Sequence, residues 1–160
     1  MNTSTGQRIL AKKSPLWLLA FNMGCGTIGI TIISPTLGLV TDFFSVDEAT
    51  GQWVLSAYFA SIAVSQLFYG PLSDRFGRKI PLLSGLAFYG LGGFMGALAP
   101  SIETLIAARV IQGLGGGSII SIIRAIINDS YERLEAAGAF ALVSGIMVVV
   151  PIFSFISGGL

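Results

Sequence analysis

The sequence contains no histidine and a single cysteine, Cys25, among its 160 residues. The lack of histidine excludes a His-based metal centre and a Ser-His catalytic triad, and one cysteine allows no internal disulfide. Charged residues make up only 11% of the chain and the net charge is +1. The bases do not cluster on one amphipathic face, and no nucleophile constellation is present. We therefore expect no enzymatic activity, no metal, no cofactor and no nucleic-acid partner.

The composition is that of a membrane protein. Hydrophobic residues make up 53% of the chain and charged residues 11%, whereas a soluble domain has about a quarter charged residues. Five apolar stretches approach or exceed the ~20 residues that cross ~30 Å of hydrocarbon: about 15–40, 52–72, 80–98, 102–127 and 136–160. Such spans must satisfy their own backbone polar groups, so they are helices. We predict an all-α integral membrane protein with about five lipid-contacting transmembrane helices after a cytoplasmic segment at 1–14.

The distribution of charge predicts the orientation in the membrane. The connections on one side hold acids and no Lys or Arg: Asp42, Asp47, Glu48 and Glu103. The other side holds the bases: Arg8, Lys12, Lys13, Arg75, Arg78, Lys79, Arg124 and Arg133. The positive-inside rule therefore places the N-terminus in the cytoplasm. A cleaved signal peptide at the start is disfavoured, because the first apolar run exceeds the usual core of about 7–15 residues.

A short charged loop is predicted between the second and third spans, where Gly70–Lys79 reads GPLSDRFGRK. Two glycines, one acid and three bases cannot sit in hydrocarbon, so the chain surfaces here and turns back. The pattern resembles the loop signature of the major facilitator superfamily, which lies between the second and third helices of that family. The signature positions are Gly70, Asp74, Arg75, Gly77, Arg78 and Lys79.

The fourth span contains Arg109, the one ionisable residue well inside a span. An Arg at the bilayer centre costs about 2.5–3.5 kcal/mol on insertion scales, so its side chain should face the bundle interior or an aqueous cavity. Gln112 lies on roughly the same helix face. With Gly113, these residues are similar to the fourth-helix motif of the superfamily, which implies a role in the central cavity and in proton-linked coupling. The alternative is an Arg that ties neighbouring helices together by bonding their carbonyls.

The fifth span carries a partial third motif. Pro151, followed by Gly158 and Gly159, resembles the fifth-helix motif of antiporters, with Phe155 where a second proline is usual. Within the superfamily, residues 65–79 and 124–129 look most like the bacterial multidrug exporters of the bicyclomycin-resistance (Bcr/CflA) type. That resemblance implies exchange of drugs for protons.

The resemblance also implies an architecture. Members of the superfamily have twelve helices in two six-helix halves, with the substrate bound between the halves. This chain would provide about five helices of the N-terminal half, so the missing C-terminal helices are needed for function. We expect a multi-pass protein of the bacterial inner membrane that exports small amphipathic compounds by proton antiport through alternating access. The alternatives are a sugar, metabolite or siderophore carrier of the same superfamily, and a non-transporting small membrane protein or assembly partner.

Arg78 and Asp129 are predicted to lie on the same membrane face. The guanidinium of Arg78 can make paired, charge-assisted hydrogen bonds to the carboxylate of Asp129. The superfamily resemblance implies that this cluster is a conformational latch, closed in one access state and broken in the other. The alternative is a charge cluster that only sets the membrane orientation.

Other polar residues of the first two spans are candidates for contact with the substrate. These are Asn22, Thr31, Tyr58 and Gln66, although isolated polar residues in membrane helices are as often packing bonds. No Asp or Glu lies inside any span, whereas proton-coupled carriers usually have an embedded carboxylate. Either the coupling acid lies in the missing part of the transporter, or coupling here differs.

Overall fold

A computed structural model describes residues 16–31, 33–132, 135–142 and 144–145 of the chain. The segment 1–14 and most of the predicted fifth span, including Pro151, Gly158 and Gly159, lie outside the described residues. The described part is helical and contains no strand, so the all-α prediction is confirmed. Its helices are α1 (Leu16–Thr31), α2 (Ile33–Phe44), α3 (Glu48–Phe76), α4 (Lys79–Ala97) and α5 (Ile102–Ser130). A shorter helical segment follows at 135–142.

Three of these helices, α3, α4 and α5, are long and apolar enough to cross a membrane. The predicted first span falls on α1 and α2, on either side of residue 32. Large apolar side chains are exposed on the outside of the bundle, among them Trp53, Leu67, Phe68, Leu83 and Phe94. An exterior of this kind is unfavourable in water and is typical of a surface that contacts lipid.

Helix α5 lies at the centre of the fold and packs along both α3 and α4. Near its C-terminal end, one hydrophobic cluster joins it to α1 and to the segment 135–142: Leu19, Met23, Ile119, Ile123, Ile127, Ala136 and Ala139. Near its N-terminal end, a second cluster joins it to α2 and α3: Ile33, Val54, Ile102 and Leu105. The middle of α5 therefore lies between two packed ends.

Glycines allow the backbones of the central helices to approach closely. A methyl group at Gly113 of α5 would lie 2.6 Å from the carbonyl oxygen of Tyr58 and 2.8 Å from Cβ of Ser61, both on α3. A methyl group at Gly92 of α4 would lie 2.7 Å from the carbonyl oxygen of Ala108 on α5. These distances are shorter than van der Waals contact, so only glycine fits at either position without a shift of the backbone.

Two helix starts are fixed by side-chain caps. The carboxylate of Asp47 accepts a hydrogen bond from the backbone N–H of Thr50 at 3.3 Å and another from its hydroxyl at 2.6 Å. These hydrogen bonds lower the pKa of Asp47 below its ordinary value. Ser101 caps α5 in the same way through the backbone N–H of Thr104 at 3.4 Å. Both caps satisfy helix N–H groups that have no partner within the helix.

The predicted charged loop is shorter in the structure than in the sequence analysis. Helix α3 continues through Gly70, Asp74 and Arg75 to Phe76, so only Gly77 and Arg78 connect it to α4. Charged residues mark where a helix leaves the hydrocarbon, and they do not require the helix to end there. A methyl group at Gly70 would have no neighbour within 4 Å, so close packing does not explain that glycine.

Candidate functional site

Arg78 is the centre of a charged cluster at the end of the bundle. Its Nε atom donates to Oδ2 of Asp129 at 2.9 Å, and its Nη1 atom donates to Oδ1 of Asp74 at 2.7 Å. Nη1 also donates to Oγ of the buried Ser73, whose hydroxyl in turn donates to the carbonyl oxygen of Gly70 at 2.9 Å. The cluster thus ties the end of α3, the connection to α4 and the end of α5 together.

The strength of this cluster follows from its exposure. The side chain of Arg78 is 28% exposed, and those of Asp74 and Asp129 are 68% and 54% exposed. Partial burial lowers the pKa of Arg78, but the hydrogen bonds and charges of Asp129 and then Asp74 outweigh it and raise the pKa above its ordinary value. Exposed pairs contribute about 0.2–1 kcal/mol each, so the cluster can hold two helix ends together and still break readily.

The other signature residues lie beside this cluster. Gly77 adopts φ 80° and ψ 163°, a conformation essentially restricted to glycine, and so makes the sharp turn into α4. Arg75 is exposed and its guanidinium carbon lies 5.4 Å from the ring centroid of Phe76. Lys79 is exposed at the first position of α4. Among the described ion pairs, Arg75 and Lys79 take no part, so Arg78 is the base that joins the helices.

A cavity of about 310 Å³ lies in the middle of the bundle, between α1, α4 and α5. Its lining consists of two aromatic or polar positions, one base and five small residues: Tyr89, Gln112, Arg109, Gly29, Gly92, Gly93, Gly96 and Ala97. Arg109 and Asp129 are 20 residues apart on α5, which at 1.5 Å per residue separates the cavity from the charged cluster by about 30 Å along the helix.

Arg109 is held on the cavity wall by one of its terminal nitrogens. Nη1 donates to Oε1 of Gln112 at 2.7 Å and to the carbonyl oxygen of Gly29 at 3.4 Å. The first bond fixes the side chain against its own helix, and the second reaches across to α1. Both sequence interpretations of Arg109 thus have a counterpart, since the residue borders a cavity and also bonds the carbonyl of a neighbouring helix.

Two further residues from the sequence analysis are placed around this cavity in different ways. Tyr58 is 2% exposed, and its hydroxyl would lie 3.3 Å from a methyl group at Gly29 and 3.2 Å from one at Gly116. It is therefore buried behind the cavity wall. Gly113 does not border the cavity, because it faces α3.

The remaining candidate substrate contacts do not line the cavity. Asn22 donates to the carbonyl oxygen of Leu18 at 2.8 Å, and Thr31 donates to that of Thr27 at 3.2 Å, each within its own helix. These two polar side chains follow the packing interpretation in the structure. Gln66 is half-buried on α3, away from the cavity lining. Pro151, Gly158 and Gly159 lie outside the described residues.

The sequence analysis missed part of the cavity lining. Tyr89 and Gly93 carried no local signal, because their place beside Arg109 depends on how α4 packs against α5. Gly92 and Gly96 could be found from their four-residue spacing, which is typical of helix contacts in membranes. Among the described residues, no group of three or more His, Cys, Asp or Glu side chains could hold a metal ion.

These features define a class of protein: a helical, multi-span membrane protein with a cavity between its helices and a charged cluster at one membrane face. The profile of the Major Facilitator Superfamily matches residues 19–160. The chain belongs to this superfamily of transporters, as the loop and fourth-helix motifs predicted.

Curated relatives agree with this assignment. The chain is 34% identical over 145 residues to Multidrug resistance protein D of Escherichia coli (strain K12), covering 91% of this chain and 37% of that protein. It is 32% identical over 154 residues to Multidrug resistance protein 3 of Bacillus subtilis (strain 168), covering 94% and 30%. It is 32% identical over 144 residues to the Chloramphenicol resistance protein CraA of Acinetobacter baumannii, covering 90% and 35%. The chain thus spans less than two fifths of the length of these relatives.

Proposed function

We propose that the full product of this gene exports small amphipathic compounds, drugs among them, in exchange for protons across the bacterial inner membrane. In this proposal, the chain provides the cytoplasmic latch and one wall of the transport cavity, and further helices complete the pathway. Membership of the superfamily supports transport. The relatives that are named for multidrug or chloramphenicol resistance support drugs as the substrate class.

The observation that carries the proposal is the bond between Arg78 and Asp129 at 2.9 Å. It joins the α3–α4 connection to the end of α5, which lies 51 residues further along the chain. Alternating access needs contacts that form at one membrane face in one state and break in the other. A partly exposed pair within reach of a second acid, Asp74, suits this role, because it is specific in geometry and modest in strength.

The cavity beside Arg109 supports a place in the transport pathway. A buried guanidinium in a membrane helix is expensive, and such residues usually mark substrate or ion pathways. In this proposal the charge of Arg109 affects the proton affinity of the coupling acid or the binding of substrate. The chain itself has no acid in the cavity lining, so the coupling acid belongs to the helices that complete the transporter.

Transport by the full gene product tests the proposal directly. The protein is reconstituted into liposomes with an imposed pH gradient, and uptake of labelled chloramphenicol and of an amphipathic dye is followed. We expect uptake that depends on the gradient and is abolished by a protonophore. A matched variant, Asp129→Asn, should slow uptake by weakening the latch, whereas Glu132→Gln, an exposed acid three residues on, should not. Absence of uptake of any amphipathic compound by a folded protein would refute drug export.

A further inference from the structure

Arg109 uses only part of its hydrogen-bonding capacity. Both of its described hydrogen bonds come from Nη1. Its Nε atom is buried and has no acceptor among the described residues, and Nη2 donates to none of them. The N–H groups of Nε and Nη2 lie parallel on one edge of the planar guanidinium, and this edge matches the two oxygens of a carboxylate.

A second donor close to the same place lacks a partner. The hydroxyl of Tyr58 is buried without a hydrogen bond among the described residues, and the whole side chain is 2% exposed. It lies beside Gly29, whose carbonyl oxygen accepts from Arg109. Two buried donors from α3 and α5 thus converge at the same point of α1. Buried donors without acceptors are costly, and a bound acceptor at this point would remove that cost.

The chain has no carboxylate of its own to offer there. It contains eight acidic residues, and all eight are described: Asp42, Asp47, Glu48, Asp74, Glu103, Asp129, Glu132 and Glu135. None of them lines the cavity. The positive charge of Arg109 is therefore uncompensated by this chain, in a part of the membrane where an unpaired charge is expensive.

We propose that the cavity is a binding site for the carboxylate of a small amphipathic solute, with the Nε and Nη2 edge of Arg109 as its anchor. The proposal rests on the transport function and narrows it to acidic substrates in preference to cationic ones. A cavity of about 310 Å³ is at the lower end of the ~300–1,000 Å³ of typical ligand sites, so it fits a single-ring carboxylate. The glycines on the α4 side leave a flat apolar wall against which a ring can pack.

Binding to the full gene product in detergent tests this site without requiring transport. Benzoate is the probe, and benzamide and benzylamine are the neutral and cationic controls with the same ring. Isothermal titration should give an affinity for benzoate at least about tenfold above that for benzamide, because a charge-assisted pair exceeds a neutral hydrogen bond. Benzylamine should bind more weakly than either compound. Equal affinities for the three compounds would overturn the proposal.

Variants assign the binding to Arg109. Arg109→Gln should lower the affinity for benzoate by about tenfold or more and leave that for benzamide unchanged, and Arg109→Lys should restore only part of it, because the fork is lost. Tyr58→Phe, which removes one hydroxyl, should cause a smaller loss. Arg124→Gln, at an exposed base of the same helix, is the matched control and should have no effect. Circular dichroism of each variant checks that it is folded.

The carboxylate that occupies the fork has two possible sources, the solute or a side chain from the remainder of the gene product. If a side chain occupies it, benzoate will bind no better than benzamide, and Arg109→Gln will lower the melting temperature without changing solute binding. That result would overturn the solute site. A protein that prefers benzoate but transports nothing would keep the site and refute the proposed export, so the two failures are distinguishable.

Discussion

The side chains of Arg78 and Asp129 meet at 2.9 Å although 51 residues separate them. The pair closes a ring that runs from the start of α4 to the end of α5, and Asp74 supports it from the end of α3. The helices are therefore joined at the membrane face by charge as well as by apolar packing along their length. Apolar packing cannot be released without exposing surface, whereas this ion pair can separate into water at little cost.

Arg78→Ala and Asp129→Ala should show non-additive effects. Because the two side chains bond directly, we expect a coupling energy of about 0.2–1 kcal/mol between them in a double-mutant cycle. The populations of inward-facing and outward-facing states, measured by spin-label distances in the full gene product, provide the free energies. Arg75→Ala, at an exposed neighbouring base, should be additive with Asp129→Ala. Additivity of the first pair as well would contradict a direct latch.

Gly113→Ala should destabilise the bundle. The added methyl group would lie 2.6 Å from the carbonyl oxygen of Tyr58, and overpacking of this kind costs about 1–3 kcal/mol. Thermal unfolding in detergent, followed by circular dichroism, measures the loss. The matched control is Gly70→Ala, because a methyl group there has no neighbour within 4 Å and alanine favours a helix by about 0.5–1 kcal/mol over glycine. Equal melting temperatures for both variants would contradict the close approach of α3 and α5.

Gly77→Ala should destabilise the protein for a different reason. Space is open around Gly77, but its φ of 80° with ψ of 163° disfavours any residue with a side chain. The cost of such a conformation is about 1–3 kcal/mol. We expect a lower melting temperature than for Gly70→Ala in the same assay, although neither methyl group meets another atom. A melting temperature unchanged by Gly77→Ala would show that the turn can adopt another conformation.

The orientation of the chain predicts which positions a membrane-impermeant maleimide can reach in intact cells. After Cys25→Ser removes the native thiol, a cysteine introduced by Lys79→Cys should be protected from the reagent outside. One introduced by Glu48→Cys, at the opposite end of α3, should react. Both positions are exposed in the fold, so access to the membrane side decides the outcome. Labelling of position 79 from outside would reverse the predicted topology.

Apolar length and charge distribution carry most of the predictable part of the fold. The predicted stretches at 52–72, 80–98 and 102–127 coincide with α3, α4 and α5, because a helix in lipid must satisfy its backbone internally. The ends were harder to place. Asp74 and Arg75 stand on the last turn of α3, since charged side chains can extend into water while their backbone stays helical. Hydropathy reports the depth of a residue in the membrane, and backbone hydrogen bonds determine where a helix stops.

The two parts of the candidate site differ in the same respect. The contact between Arg78 and Asp129 was predictable, because opposite charges on one membrane face have few other partners. The position of Tyr89 beside Arg109 was not, because it depends on the packing of α4 against α5 and has no local signature. The direction of Gly113 toward α3 also depends on helix packing, which a spacing of small residues leaves open.

The close backbone approaches along α5 have a mechanical consequence. Helices that touch through Gly92 and Gly113 have almost no side-chain layer between them to slide or compress, and packed interiors deform little. The unit formed by α3, α4 and α5 should therefore tilt as a single stiff body. Bending during a transport cycle would then fall on the junctions that surround it, and a change at residue 129 would be transmitted along α5 to the neighbourhood of residue 109 by leverage.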